Sequence, residues 1–254
     1  MKLTLIGNGF MAQALAKGLI KKFEIEIIGR DINKLKKVQE LIPGVQIKEL
    51  EDNENINKKN IILCVKPYAL QSVAARLEGD ANILLSILAG TSLENLKDQI
   101  KSEYYVRVMP NVAASIGKST TTITGDKEAK KLALELFDYI GKTIWVDTEK
   151  ELDIATAVAG SGPAFLCLIA EALSDGAVKV GLNRKISNEL VQGLFEGYSK
   201  LLENNHPAII KDSVMSPGGT TAAGVAAMEE GAVRSHMIKA IESAHKRAVE
   251  IGKK

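Results

Sequence analysis

Aromatic residues make up only 4% of this 254-residue chain, with one Trp among them. So few rings cannot build the stacking platforms that hold single-stranded nucleic acid. Charge of one sign is missing too: Lys+Arg number 33 against Asp+Glu 31, with no basic tract. A nucleic-acid partner is therefore excluded on electrostatic grounds as well. The two cysteines, Cys64 and Cys167, each sit inside an apolar run and read as small buried hydrophobes rather than as a disulfide pair. His206, His236 and His245 are scattered outside any ligand spacing, so no metal site is expected. Long hydrophobic runs are lacking: the longest, Pro163 to Leu173, is interrupted by Glu171. A membrane helix needs about 20 such residues, so no membrane partner is expected. Met1-Lys2-Leu3-Thr4-Leu5-Ile6-Gly7 passes straight into an apolar strand, which leaves no room for a signal peptide and leads us to expect a cytoplasmic protein.

What the chain does contain is ordinary globular material, 46% hydrophobic and 25% charged. Up to about residue 146, short apolar runs alternate with amphipathic stretches. Leu3–Ile6, Glu24–Ile28, Val45–Lys48, Ile61–Val65, Ile83–Ile87 and Tyr105–Val108 read as strands of a largely parallel sheet, extended by Ser119–Thr124 and Thr143–Val146. Met11–Lys21, Asn33–Leu41, Ala69–Leu77, Ser92–Ile100 and Lys127–Ile140 read as helices between them, the βαβ pattern. After Asp147 only helical patterns follow. The expected fold class is an α/β N-terminal Rossmann-like dinucleotide-binding domain, residues 1–148, followed by an all-α C-terminal substrate-binding and dimerisation domain, residues 149–254. A helix from Pro163, apolar nearly all round through Leu173, must be buried on every side. A second copy of the chain would cover one face, so a homodimer or higher oligomer is expected.

Gly7-Asn8-Gly9-Phe10-Met11-Ala12 has the spacing GxGxxA directly after a strand and opening a helix. In that context Gly7 makes the tight turn, Gly9 lets the backbone approach a pyrophosphate, and Ala12 allows close packing of helix on strand. The second strand ends at Gly29-Arg30-Asp31, where the ribose is read. Arg30 attracts a 2′-phosphate and favours NADPH, while Asp31 beside it keeps NADH open. Other strands end in Val65-Lys66-Pro67, Ala89-Gly90 and Pro110-Asn111, loops that share the ligand-binding edge of a parallel sheet.

In the helical half, Ser216-Pro217-Gly218-Gly219-Thr220-Thr221 precedes an Ala-rich run. Two glycines let successive N–H groups converge on an anion at a helix start, and Ser216, Thr220 and Thr221 add hydroxyls. The same residues would also make a plain turn with a threonine capping the helix.

These motifs, together with Ser86-Ile87-Leu88-Ala89-Gly90, Arg107-Val108-Met109-Pro110-Asn111 and Gly160-Ser161-Gly162-Pro163-Ala164-Phe165, make the chain resemble the pyrroline-5-carboxylate reductases over nearly its whole length. Leu88 and Phe165 depart from the Ala and Tyr often found there. The resemblance implies hydride transfer from a nicotinamide cofactor, usually NADPH, to the C=N carbon of 1-pyrroline-5-carboxylate, the last step of proline biosynthesis. It places the substrate in the loop Ser216 to Thr221, with Asn111 and Ala89 on the nicotinamide side. Within that loop, the Thr221 hydroxyl is assigned to the ring nitrogen as the catalytic contact. The carboxylate is assigned to Ser216 and the backbone N–H groups of Gly218, Gly219 and Thr220. A β-hydroxyacid dehydrogenase would need a Lys-x-x-x-Asn that the helix after Gly162 lacks, and a non-catalytic NADP-binding sensor would have no use for the cradle.

Overall fold

In the computed structural model, which describes residues 1–252, the N-terminal part runs β1 (Lys2–Ile6), α1 (Phe10–Leu19), β2 (Glu24–Gly29), α2 (Ile32–Leu41), β3 (Gln46–Glu49), β4 (Glu54–Asn55), β5 (Asn60–Leu63), α3 (Leu70–Ala74), β6 (Leu77–Glu78), β7 (Ala81–Ser86), α4 (Leu93–Gln99), β8 (Ser102–Met109), β9 (Ser119–Gly125), α5 (Lys130–Asp138) and β10 (Gly141–Trp145). Eight strands form one sheet in the order β10-β9-β8-β7-β5-β1-β2-β3, parallel except where β9 runs against β8. Strand alternation explains why both faces are covered. Leu3, Leu5, Ile25, Ile27, Ile62, Ile83 and Leu85 point to the side packed by α1, α2 and α5. Ile6, Ile28, Ile61, Leu63 and Leu84 point to the side packed by α3 and α4. From β1 the chain winds one way to β2 and β3 and then the other way through β5, β7 and β8. The switch point therefore lies between β1 and β5.

Local chemistry differs from the expected pattern in the stretch after Lys66. The helix read over Ala69–Leu77 is a one-turn 3-10 segment, Pro67–Ala69, then the short α3, then β6. Pro67 at the first position sets the tight turn, and β6 pairs with β4 in a two-residue ladder too short to leave a pattern in sequence.

The helices that follow are α6 (Glu149–Ala155), a π turn over Thr156–Gly160, α7 (Gly162–Lys179), α8 (Arg184–Leu201), α9 (Pro207–Ser213), α10 (Thr220–Glu230) and α11 (Val233–Gly252). Thr148 and Glu151 form a reciprocal capping box that starts α6. By its contacts the chain falls into two compact units, Met1–Ser161 joined by the chain from Ala244 on, and Gly162–Ser243.

The second unit departs sharply from the expected burial. Among its described residues only Ser174 and Ser187 are buried, and both are polar. Ser187 Oγ donates to the Ser174 carbonyl (2.9 Å), and Ser174 Oγ meets Asn188 Oδ1 (2.6 Å) and Arg184 Nη1 (2.9 Å), so a polar node pins α7 to α8. Leu166 is 50% and Leu168 68% exposed. Instead of being buried on every side, the apolar helix from Pro163 is open along the single chain, and Cys167 on it is exposed rather than buried. The apolar stretch also belongs to a longer helix than its sequence suggests: Glu149–Lys179 runs 31 residues with a window of mean hydropathy 1.6, long and apolar enough by length and composition to cross a membrane.

Candidate active site

The first unit offers a cleft at the switch point. Gly7, Asn8 and Gly9 form one wall, Gly29 and Arg30 another, Val65 and Lys66 a third. Gly7 has φ +115°, and a Cβ there would lie 2.7 Å from the Cys64 carbonyl oxygen, so only glycine makes this turn. At Gly9 a Cβ would point into open space. Gly9 is the N-cap of α1 with no side-chain cap, so the first N–H groups of that helix are left for a ligand. Ala12 is fully buried against the sheet, and Met11 packs beside it, so both act by seating the helix. Phe10 is 60% exposed. A glycine cradle facing an uncapped helix start fits the pyrophosphate of a dinucleotide.

Arg30 and Asp31 part company in the structure. Asp31 Oδ1 accepts from the Asn33 and Lys34 N–H groups at 3.0 and 3.1 Å and so caps α2. Its carboxylate is occupied, whereas Arg30 is exposed on the cleft. That division favours a 2′-phosphate over a free ribose hydroxyl. Leu50, Tyr68, Ala69 and Val73 also line the cleft and were missed. Leu50 follows β3, and the rule that ligands lie beyond the carboxyl ends of parallel strands would have pointed to it. Pro67 is absent from the lining and starts the 3-10 turn that carries Tyr68. Cys64 beneath Gly7 is half-buried on the cleft rather than fully buried, and desolvation pushes its thiol up.

The other two predicted loops have structural partners of their own. Gly90 adopts φ +72°, and a Cβ there would meet Ile251 and the Gly252 nitrogen at 2.8 Å. Ala89 precedes it. Asn111 is held on three sides: its N–H donates to Ser119 Oγ (3.0 Å), its Oδ1 accepts from Ala113 N–H (3.1 Å), and its Nδ2 donates to the Ala159 carbonyl (3.0 Å).

In the second unit the loop Ser216 to Thr221 leads directly into α10. Gly219, not a threonine, is the N-cap of α10, and it supplies no side-chain cap. The alternative of a threonine cap is thereby removed, and Thr220 and Thr221 open the helix itself. Gly218 takes φ +69° with nothing near its Cβ direction, while a Cβ on Gly219 would collide with Ser216 Oγ. One expected donor is already used: Gly219 N–H gives its hydrogen bond to the Ser216 carbonyl at 3.0 Å. Thr220 and Ser216 are exposed and Thr221 is half-buried.

Comparison with known proteins places both units. The family profile described as pyrroline-5-carboxylate reductase dimerisation matches residues 149–251, and that described as NADP oxidoreductase, coenzyme F420-dependent, matches residues 2–90. A curated pyrroline-5-carboxylate reductase of Synechocystis is 38% identical, the alignment covering 100% of this chain and 99% of the relative. The crystal structure of the 1-pyrroline-5-carboxylate reductase of Streptococcus pyogenes superposes with TM-score 0.87 at 30% identity over 98% of each chain. The pyrroline carboxylate reductase of Plasmodium falciparum, solved with NADP bound, gives 0.81 at 28% identity over 99% of this chain and 100% of that one. With the glycine cradle, the freed Arg30 and the uncapped α10 already in place, full-length identity at this level means that the chain belongs to the pyrroline-5-carboxylate reductase family.

Proposed function

We infer that the chain reduces 1-pyrroline-5-carboxylate to L-proline, with NADPH as the hydride donor. The observation that carries the reading is the start of α10: a Ser-Pro-Gly-Gly turn whose helix has no side-chain cap, followed at once by two threonines. Such a start attracts a carboxylate through free N–H groups and the helix dipole. The Gly218 and Thr220 N–H groups and the Ser216 hydroxyl bind it. Gly219 contributes by leaving space, since its own N–H is engaged. Thr221 hydrogen-bonds the ring nitrogen. NADPH supplies the hydride when bound, so the protein's part is alignment. The cyclic imine reacts as its protonated form. Hydride joins the carbon, and the C=N π pair stays on nitrogen as the lone pair of the amine.

On the cofactor side, Gly7 to Ala12 receive the pyrophosphate, Arg30 the 2′-phosphate, and Val65, Lys66, Pro67, Ala89, Gly90 and Asn111 the remaining loops of the site. NADH serves as a weaker donor. Residues 149–254 form the substrate-binding and dimerisation half, and the working molecule is a homodimer or a larger assembly of dimers. The support is energetic: within that half the unit Gly162–Ser243 has no buried apolar side chain and so no core of its own, and a second copy would supply it. The long apolar helix is read the same way, because its first turns carry Glu149, Glu151 and Asp153, and Glu149 and Asp153 are paired with Arg107. Two free cysteines accord with the reducing cytoplasm. The deciding assay follows NADPH oxidation at 340 nm with and without 1-pyrroline-5-carboxylate, then with NADH. Turnover that requires the imine and is faster with NADPH is expected; cofactor binding without turnover would leave only a sensor.

A further inference from the structure

Arg107 lies in the middle of the sheet, only 3% exposed, and the chemistry above makes no use of it. Its guanidinium reaches out of β8 to α6, Nη1 donating to Glu149 Oε1 at 2.8 Å and Nη2 to Asp153 Oδ1 at 2.9 Å. Glu149 Oε1 also accepts the Leu93 N–H at 2.9 Å. Leu93 opens α4, three residues after Gly90, so one carboxylate oxygen joins the loop that follows β7 to strand β8, which leads to Asn111 two residues past its end. Four residues beyond Arg107, Asn111 Nδ2 holds the Ala159 carbonyl in the π turn at 3.0 Å. The segment from Glu149 to Gly160 is thus fastened to β8 at one end and to the loop just after β8 at the other.

Stability alone is a weak reason for such a junction. A buried ion pair often adds little over an apolar replacement of the same size, because desolvation offsets the attraction. What two charge-assisted bonds from one rigid guanidinium do supply is direction. Here they set the spacing of two loops that the reading above places around the nicotinamide.

We propose that Arg107 and Glu149 are positioning residues for the hydride step, fixing the Ala89–Gly90 loop and Asn111 in one register. This rests on the reductase reading. Neither side chain touches reacting atoms; each acts through the loop it holds. Displacements of order 1 Å in such a site cost about a hundredfold in rate, so a loosened junction slows chemistry while the Gly7–Arg30 end still grips the cofactor.

Glu149→Gln is the informative change, since Glu149 is partly exposed and Arg107 keeps Asp153 as a partner, leaving no orphaned buried charge. Arg107→Lys keeps the charge and loses the fork. The intact assembled enzyme would be compared as wild type, each variant and the double variant. Three quantities would be read: single-turnover NADPH oxidation with 1-pyrroline-5-carboxylate, NADPH dissociation constants from cofactor fluorescence without the imine, and melting temperature. Single-turnover rates about ten- to a hundredfold lower are expected, with NADPH affinity within about twofold of wild type. The double variant should be no slower than the worse single one, as for residues acting as a unit. Lower melting temperatures with wild-type single-turnover rates would overturn the proposal, as would losses that multiply in the double variant. Wild-type protein that fails to oxidise NADPH with the imine would overturn the reductase reading and this proposal with it. Wild-type turnover with unimpaired variants would overturn the proposal alone.

Discussion

Single side chains carry the sharpest tests. With Asp31 occupied as the cap of α2, Arg30 is the group left to meet a 2′-phosphate. Arg30→Ala should raise the Michaelis constant for NADPH by the equivalent of about 1–3 kcal/mol and leave that for NADH nearly unchanged; steady-state kinetics with both cofactors decides, and equal losses would reduce Arg30 to turn support. Thr221 is a second such position. Because Gly219 caps α10, removing a threonine hydroxyl deletes no cap and should not move the melting temperature. Thr221→Ala should instead lower kcat about tenfold to a hundredfold, or roughly 1.4–2.7 kcal/mol, with NADPH affinity intact. Thr220→Ala keeps its backbone N–H and should be milder. A Thr221→Ala enzyme with normal kcat would end the proposed contact.

At the scale of the element, the parts legible from the amino-acid string were those fixed by local rules. The parallel strands and the Gly7 turn follow from apolar runs and glycine geometry, and they stand where expected. The β4–β6 ladder did not show itself, since two residues per strand carry no period. Leu50 and Tyr68 escaped because their place in the cleft depends on where strands end in space, not on a motif. The Arg107 junction was equally hidden: Glu149 and Asp153 lie 42 and 46 residues away in the chain. Strand β2 offers a test of another such long-range pairing. Burial pushes the Glu26 carboxyl up, but the hydrogen bond and charge of Lys2, the charge of Lys59 and the Thr4 hydroxyl together hold it below its usual 4.5. A carboxyl lowered in the folded state contributes stability above about pH 4.5 that is lost as pH falls through the folded value. Glu26→Gln should therefore cost about 0.5–1 kcal/mol at pH 7 and flatten the acid limb of the stability curve. Urea unfolding at pH 7 and across the acid range reads both, and an unchanged acid limb would place the proton uptake elsewhere.

For the whole molecule, the proposed pairing of copies rests on the exposed side chains of α7 and α8. Leu166, Leu168, Leu190 and Leu194 are each at least half open to solvent on the single chain. Leu166→Glu should separate the copies or prevent folding, with loss of activity, because a charge cannot be buried unpaired in an apolar seam. Sedimentation of the wild type as a fully active monomer at low concentration would overturn the proposed pairing. The bareness of this unit reaches beyond structure into supply. If the helical half gains its interior only by meeting its twin, folding and encounter are one second-order event, and its yield depends on how fast new chains are made. At low synthesis rates, half-formed chains would wait longer with leucines exposed to proteases and chaperones. Active enzyme would then rise more steeply than in proportion to expression, a threshold set by the emptiness of one domain's core.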